Sequence, residues 1–107
     1  AQAALASNDA VVASTRLLEW VVLRPRDALA WQLLARARQA QGQTLRAVRA
    51  EAESRAAHYD FAGALERLKA AQALPETQRA ADPIELAIVD SRRREVEAQL
   101  RLWESEK

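Results

Sequence analysis

The sequence predicts an all-α chain: antiparallel helix hairpins, about five helices in all, closed by a long C-terminal helix. Three observations predict it. Ala, Arg, Glu, Gln and Leu dominate, and only two glycines occur in 107 residues, a composition suited to helix interiors. Apolar residues recur at steps of three and four along most of the chain. The residues that stop helices, Pro25, Gly42 and Pro75, fall between those periodic stretches.

The first helix is expected over residues 8 to 23, with Asn8 or Asp9 as its cap. Val11, Val12, Leu17, Leu18, Trp20, Val21, Val22 and Leu23 cover more than one of its faces, so it calls for cover on more than one side. Pro25 ends it by disfavouring helix at Arg24. Asp27 caps a second helix to about Gln41, with Trp31, Leu34, Ala35 and Arg38 recurring at helical spacing and Gly42 as its stop. A third runs from Thr44, its expected cap, to His58 with Leu45, Val48, Ala52, Ala56 and Tyr59 in one stripe. A fourth spans 61 to 74 through Phe61, Ala64, Leu65, Leu68, Ala71 and Leu74. Residues 75–82 read as a linker. Asp82-Pro83-Ile84-Glu85 then starts the last helix, because the Asp side chain accepts a free amide, Pro forfeits no hydrogen bond at the first position, and Glu favours the positive helix end. This helix reaches about Glu104. Its seam of Leu86, Val89, Arg93, Val96, Leu100 and Trp103 serves packing onto the earlier helices, with a short dimeric coiled coil as the alternative.

Composition bounds the function. The length suits one domain. Without cysteine there is neither a disulfide framework nor a thiolate metal site. Sixteen basic against fifteen acidic residues, a net charge of +1, argue against a nucleic-acid partner. The apolar runs are too short for membrane insertion. The opening AQAALASNDA lacks the basic and apolar regions of a signal peptide, and a chain without any Met is expected to be a piece of a longer one. Nearly all the basic residues are arginine. That bias reads as base composition, with an arginine-lined groove for an acidic ligand as the alternative.

The spacing is more specific than a plain bundle requires. Ala13, Leu17, Trp20 and Pro25, followed by Trp31, Leu34, Ala35, Gly42 and Ala47, resemble one 34-residue tetratricopeptide register. A further unit resembling that repeat is visible in Ala52-Glu53, Tyr59-Asp60-Phe61, Ala64, Leu65, Leu68 and Ala71. Tyr59 stands where Gly is usual. The resemblance covers about residues 10 to 74 and implies degenerate units over 8–74 in a right-handed superhelical stack, all within a single domain over 1–107. The alternative places LLEWVVL at the centre of an ordinary bundle.

A second resemblance runs from residue 31 to about 102. Trp31, Leu34, Ala35, Gly42, Ala52, Glu53, Ala64 to Leu68, Ala71, Asp82, Pro83, Ala87, Asp90, Ser91 and Arg92 follow an order similar to that in the C-terminal repeat domain of bacterial periplasmic zinc metalloproteases of the barrel-assembly-enhancing type. The resemblance implies a periplasmic, bacterial, non-catalytic segment that contacts outer-membrane assembly machinery or positions protein substrates. Zinc would belong to a separate protease domain, because His-Glu-x-x-His is absent here. A repeat domain of an unrelated bacterial assembly protein is the alternative.

No catalytic or metal site is expected, and no cofactor. His58 is the single histidine, and at a helix end it suits a capping or surface role. A metal site of His58, Asp60 and another carboxylate is the lesser reading. Glu51 and Glu53 cannot face each other at a two-residue spacing. Ser14, Ser54, Ser91 and Ser105 have no base at motif spacing. Trp20 and Trp31 are expected in the core, and Trp103 either there or against a partner. Arg92-Arg93-Arg94 reads as a solvated patch neutralised by Asp90, Glu95 and Glu97. The function expected is protein or peptide binding, in a groove whose solvent-facing positions are Gln32, Arg36, Gln39, Arg46, Arg49 and Glu53. Homodimerisation through the first helix is the competing expectation.

Overall fold

In the computed structural model, which describes the backbone of residues 2–106 and the side chains of residues 9–106, nearly every helix boundary follows from a local residue. Helix α1 spans Gln2–Leu23 and α2 Ala28–Ala40. Their turn is tied by the three residues expected to share one register. The Trp20 indole N–H donates to Asp27 Oδ2 at 2.7 Å, and Asp27 Oδ1 accepts the Ala30 amide at 3.0 Å as the N-cap. The Trp31 indole N–H donates to the Pro25 carbonyl at 2.9 Å. Trp31 is buried, as expected, whereas Trp20 is 42% exposed. Trp20 serves the turn, because its polar edge is drawn to Asp27. Helix α1 also starts earlier than expected. Asp9 lies within it, and the side chain of Asn8, the other expected cap, falls outside the described residues.

Gly42 closes α2 with φ 73°, the left-handed conformation that glycine adopts without a Cβ penalty. Helix α3 spans Thr44–Ala57, and its N-cap is Gln43 rather than Thr44, with no side-chain capping bond. Tyr59 takes φ 64° in the next turn. An aromatic residue thus holds here the left-handed conformation that Gly42 holds at the preceding turn of the chain. Tyr59 stands 49% exposed beyond the end of α3, not on that helix's apolar stripe. Asp60 then caps α4, Phe61–Gln72, by accepting the Gly63 amide at 2.9 Å.

The expected linker is not irregular throughout. It contains a short fifth helix, α5, Glu76–Ala80, started by Pro75. The last helix, α6, spans Pro83–Ser105, and Asp82 caps it through the Glu85 amide at 3.2 Å. Among the described residues the fold is therefore all-helical, as the sequence predicts, with six helices where about five were expected.

Successive long helices pack as hairpins: α1 on α2, α2 on α3, α3 on α4 and α4 on α6. Helix α6 also touches α3, the helix before its partner. Two cores result. Val21, Trp31, Leu34, Ala35 and Ala50 join α1, α2 and α3. Leu45, Ala52, Ala64, Leu68, Val89 and Val96 join α3, α4 and α6. Alanines let α3 lie close to neighbours on both sides, so one helix serves both cores. The extents of 53 × 30 × 18 Å describe a slab about two helix diameters thick. Buried hydroxyls stitch the hairpins: Ser54 donates to the Ala28 carbonyl at 2.9 Å, and Gln41 donates to Ser14 at 3.0 Å.

The expected seam of α6 is used in part. Val89 and Val96 are fully buried, while Leu86 and Leu100 are half-buried. Arg93 interrupts the seam by bonding Gln72 of α4 and Glu97 of its own helix. Trp103 ends it at the rim, stacked on Tyr59 with ring centroids 6.1 Å apart and edge-on to Phe61 at 5.9 Å.

Candidate functional site

The six expected groove residues divide between two surfaces. Gln32, Arg36 and Gln39 occupy one face of α2 at helical spacing. With Glu51, Ser54, Arg55 and His58 of α3 they line an open cleft of about 460 Å³. Arg36 and Gln39 are exposed there, and Glu51 pairs with Arg67 of α4 at 3.5 Å. The cleft is polar, and most of its lining hydrogen-bonding groups face solvent. His58 sits at its end as the C-cap residue of α3.

Arg46, Arg49 and Glu53 lie on another side of α3, under α6. The expectation that they face solvent is corrected for Glu53, which is buried, and for Arg49, whose side chain keeps 20% exposure. Arg46 pairs with Asp82 at 2.5 Å and Arg49 with Glu85 at 3.2 Å. Glu53 accepts from Arg49 at 3.2 Å and from both nitrogens of one edge of Arg92, at 2.8 and 2.7 Å. The pairs advance in the same direction along α3 and α6, so the two helices run parallel, joined by a ladder of charge. Arg46 remains 40% exposed.

The ladder has an electrostatic signature. Burial pushes the Asp82 carboxyl up, but the Arg46 hydrogen bond and the Glu85 amide outweigh it and hold the group below the usual aspartate value. Burial also disfavours charge on Arg92, yet the bidentate bonds to Glu53 dominate and raise its pKa. The expected solvated patch is thus corrected at Arg92, which is a tie between α6 and α3, and at Arg93, which ties α6 to α4. Arg94 is exposed as expected. Sequence reasoning missed the tie because Glu53 and Arg92 lie 39 residues apart. No local signal separates Glu53 from Glu51, which stands two residues before it on the same helix.

A third surface is apolar. On α1, the buried row is Ala10, Ser14 and Val21, while Val11, Val12, Leu18, Trp20, Val22 and Leu23 are all exposed. Leu29 and Leu33 of α2 extend that surface, and with Leu17, Trp20, Asp27 and Ala30 they line a shallow hollow of about 230 Å³. The hydrogen bond from Trp20 and that from the Ala30 amide hold the Asp27 carboxyl below its usual value, keeping a charge at the rim of this hollow.

Among the described residues, no group of three histidine, cysteine, aspartate or glutamate side chains could hold a metal ion. No described helix is long and apolar enough to cross a membrane. Another hollow, of about 500 Å³ between the start of α3 and α5, is lined by Gly42, Thr44, Arg46, Gln78 and Asp82, and its one cation is already paired. In comparisons with known proteins, the chain matches no family model, no curated protein and no solved structure.

Proposed function

We propose that this chain is a non-catalytic protein-interaction scaffold, built as tetratricopeptide-like hairpins that present a partner-binding surface. The observation that carries the reading is the uncovered apolar surface of α1 and α2. One row of α1 serves the core, six large apolar side chains of the same helix stand in solvent, and Trp20 of that set lines a hollow with Leu29 and Leu33 of α2. A helix apolar on most sides belongs in an interior, and a contiguous exposed apolar patch marks an interaction site. Trp20, locked by Asp27, supplies the kind of fixed aromatic anchor that concentrates binding energy.

By the sequence resemblance, the partner belongs to outer-membrane protein assembly or quality control, and the domain serves a zinc metalloprotease in the bacterial periplasm. The zinc ligands of such an enzyme would come from a separate domain, since this sequence carries one histidine, His58, and no His-Glu-x-x-His. The polar cleft of Gln32, Arg36 and Gln39 offers a second, hydrophilic contact.

The test is capture by the native domain against a Leu29→Glu, Leu33→Glu double variant. Both positions are exposed, so the variant folds. A protein retained by the native domain and lost by the variant supports the scaffold. Identical capture by both removes it. A second reading, self-association through α1, rests on the same apolar residues and is separated by oligomeric state.

A further inference from the structure

The side of the slab where α1, α2, α3 and α6 converge holds a channel that runs along the first two rungs of the charge ladder and takes Leu18 from the apolar surface of α1. Leu18 of α1 forms one wall, and Ile84 and Ile88 of α6 form the other. Trp31, Leu34 and Ala50 make the floor. Leu18 is 42% and Ile84 75% exposed, so both walls have apolar surface to give. Val11 and Val22 stand at steps of seven and four from Leu18 on the same face of α1, and both are exposed.

Charge in the channel is unbalanced. Three guanidiniums line it, Arg38, Arg46 and Arg49, against two carboxylates, Asp82 and Glu85. Arg46 and Arg49 take those two. Arg38 has no carboxylate within ion-pair distance among the described residues. It donates only to the Gln43 side-chain oxygen at 3.0 Å. Burial and then the nearby Arg46 charge lower its pKa, and Glu85 and Asp82 offset them only in part. The chain also shows what this floor accepts. The first two turns of α6 and its cap place two carboxylates on the neighbouring arginines and two isoleucines, four residues apart, along the rim.

We propose that the channel between α1 and α6 binds an acidic amphipathic helix of a partner protein, with a carboxylate on Arg38 and aliphatic side chains between Leu18 and Ile84. The cavity of about 230 Å³ is smaller than the roughly 300–1,000 Å³ of sites that enclose small ligands. It takes one or two anchoring side chains while the rest of the ligand lies across the walls, as in helix-in-groove recognition. This deepens the scaffold reading and rests on it, but it concerns a different face from Leu29 and Leu33.

The probe is a fluorescein-labelled helical peptide with two leucines four residues apart and a glutamate between them, followed by anisotropy. Its control carries glutamine for glutamate. Binding of the glutamate peptide is expected, weakened about tenfold for the glutamine peptide and for Arg38→Gln, the scale of one charge-assisted hydrogen bond. Leu18→Glu should weaken it further by repelling the ligand. The Arg38 side chain makes a single hydrogen bond, so Arg38→Gln should keep the native circular-dichroism melt; if it does not, the exposed Leu18 variant decides alone. Equal binding of the two peptides, indifference to both substitutions, or no binding at all overturns the proposal. Displacement of the peptide by inorganic phosphate at equal strength also overturns it, since the channel would then be a simple anion site. Partner capture lost with Leu29→Glu, Leu33→Glu but unchanged with Arg38→Gln would leave the scaffold standing and discard the channel.

Discussion

Glu53 is the residue on which most of the molecule's charge logic turns. It is buried on α3 and receives bonds from two arginines, one on its own helix and one on α6. Two opposed arginines compensate its desolvation, and Arg92 meets it with the bidentate geometry that a guanidinium alone provides. Removing the charge leaves Arg92 more than half-buried with only Glu95 nearby. Breaking one side of such a pair costs about 3 kcal/mol. Glu53→Gln is therefore expected to lower the urea midpoint markedly, while Glu51→Gln, at the exposed pair with Arg67, should change stability by less than about 1 kcal/mol. Equal effects of the two substitutions would show that the α3–α6 ladder adds nothing beyond a surface pair. From sequence the two glutamates look alike. They lie two residues apart and so fall on different sides of the helix, and packing then buries one and leaves the other at a rim.

Among the elements, α6 is defined at its start by one aspartate with two jobs. Asp82 caps the helix and pairs with Arg46 of α3. Its folded-state pKa lies below the usual 3.8, so the pairing contributes fully above that value and is lost as pH falls through the lower, folded-state one. The Asp82→Asn variant keeps a competent cap, since asparagine caps nearly as well, but loses the ion pair. Chemical denaturation from pH 7 down to pH 2 should show a smaller acid loss for the variant than for the native chain. Parallel curves would place the acid sensitivity elsewhere. The start of α6 was legible in sequence because Asp, Pro and Glu act on amides within one turn. The partner of Asp82 was not, because Arg46 lies 36 residues away. Helix α5 escaped notice for a different reason. At five residues it is too short to display a period, and it has no buried residue to mark a face. The end of α3 shows a third case: Tyr59 hides a left-handed turn that a glycine would have announced.

At the scale of the whole molecule, two alanine-lined cores share α3, and the slab ends on one side in α1. Ala50 faces one core while Leu45 and Ala52 face the other, so the hairpins are held in sequence by a single helix. Helix α1 has only α2 and part of α3 to cover it, which leaves Val11, Val12, Val22 and Leu23 in water. A surface of this kind either meets a partner or meets itself. Light scattering across a wide concentration range separates the two. For a scaffold, mass stays that of a monomer and rises only when a partner is added. A dimer that dissociates on dilution, and that Val22→Glu abolishes, would favour self-association and displace the scaffold reading.

Sequence alone determined the class of this protein and nearly all of its helix boundaries, since capping, proline geometry and glycine turns act over a few residues. It also set the common turn of Trp20, Pro25 and Trp31, whose bonds span six or seven residues. Only the tertiary structure decided which surfaces exist. It sent Arg46, Arg49 and Glu53 under α6, left Gln32, Arg36 and Gln39 on an open cleft, and lined a channel with Arg38 while giving its two carboxylates to Arg46 and Arg49. The physical reason is that a charge finds its partner through the packing of helices distant in the chain, and no period of three or four residues encodes which two faces will meet.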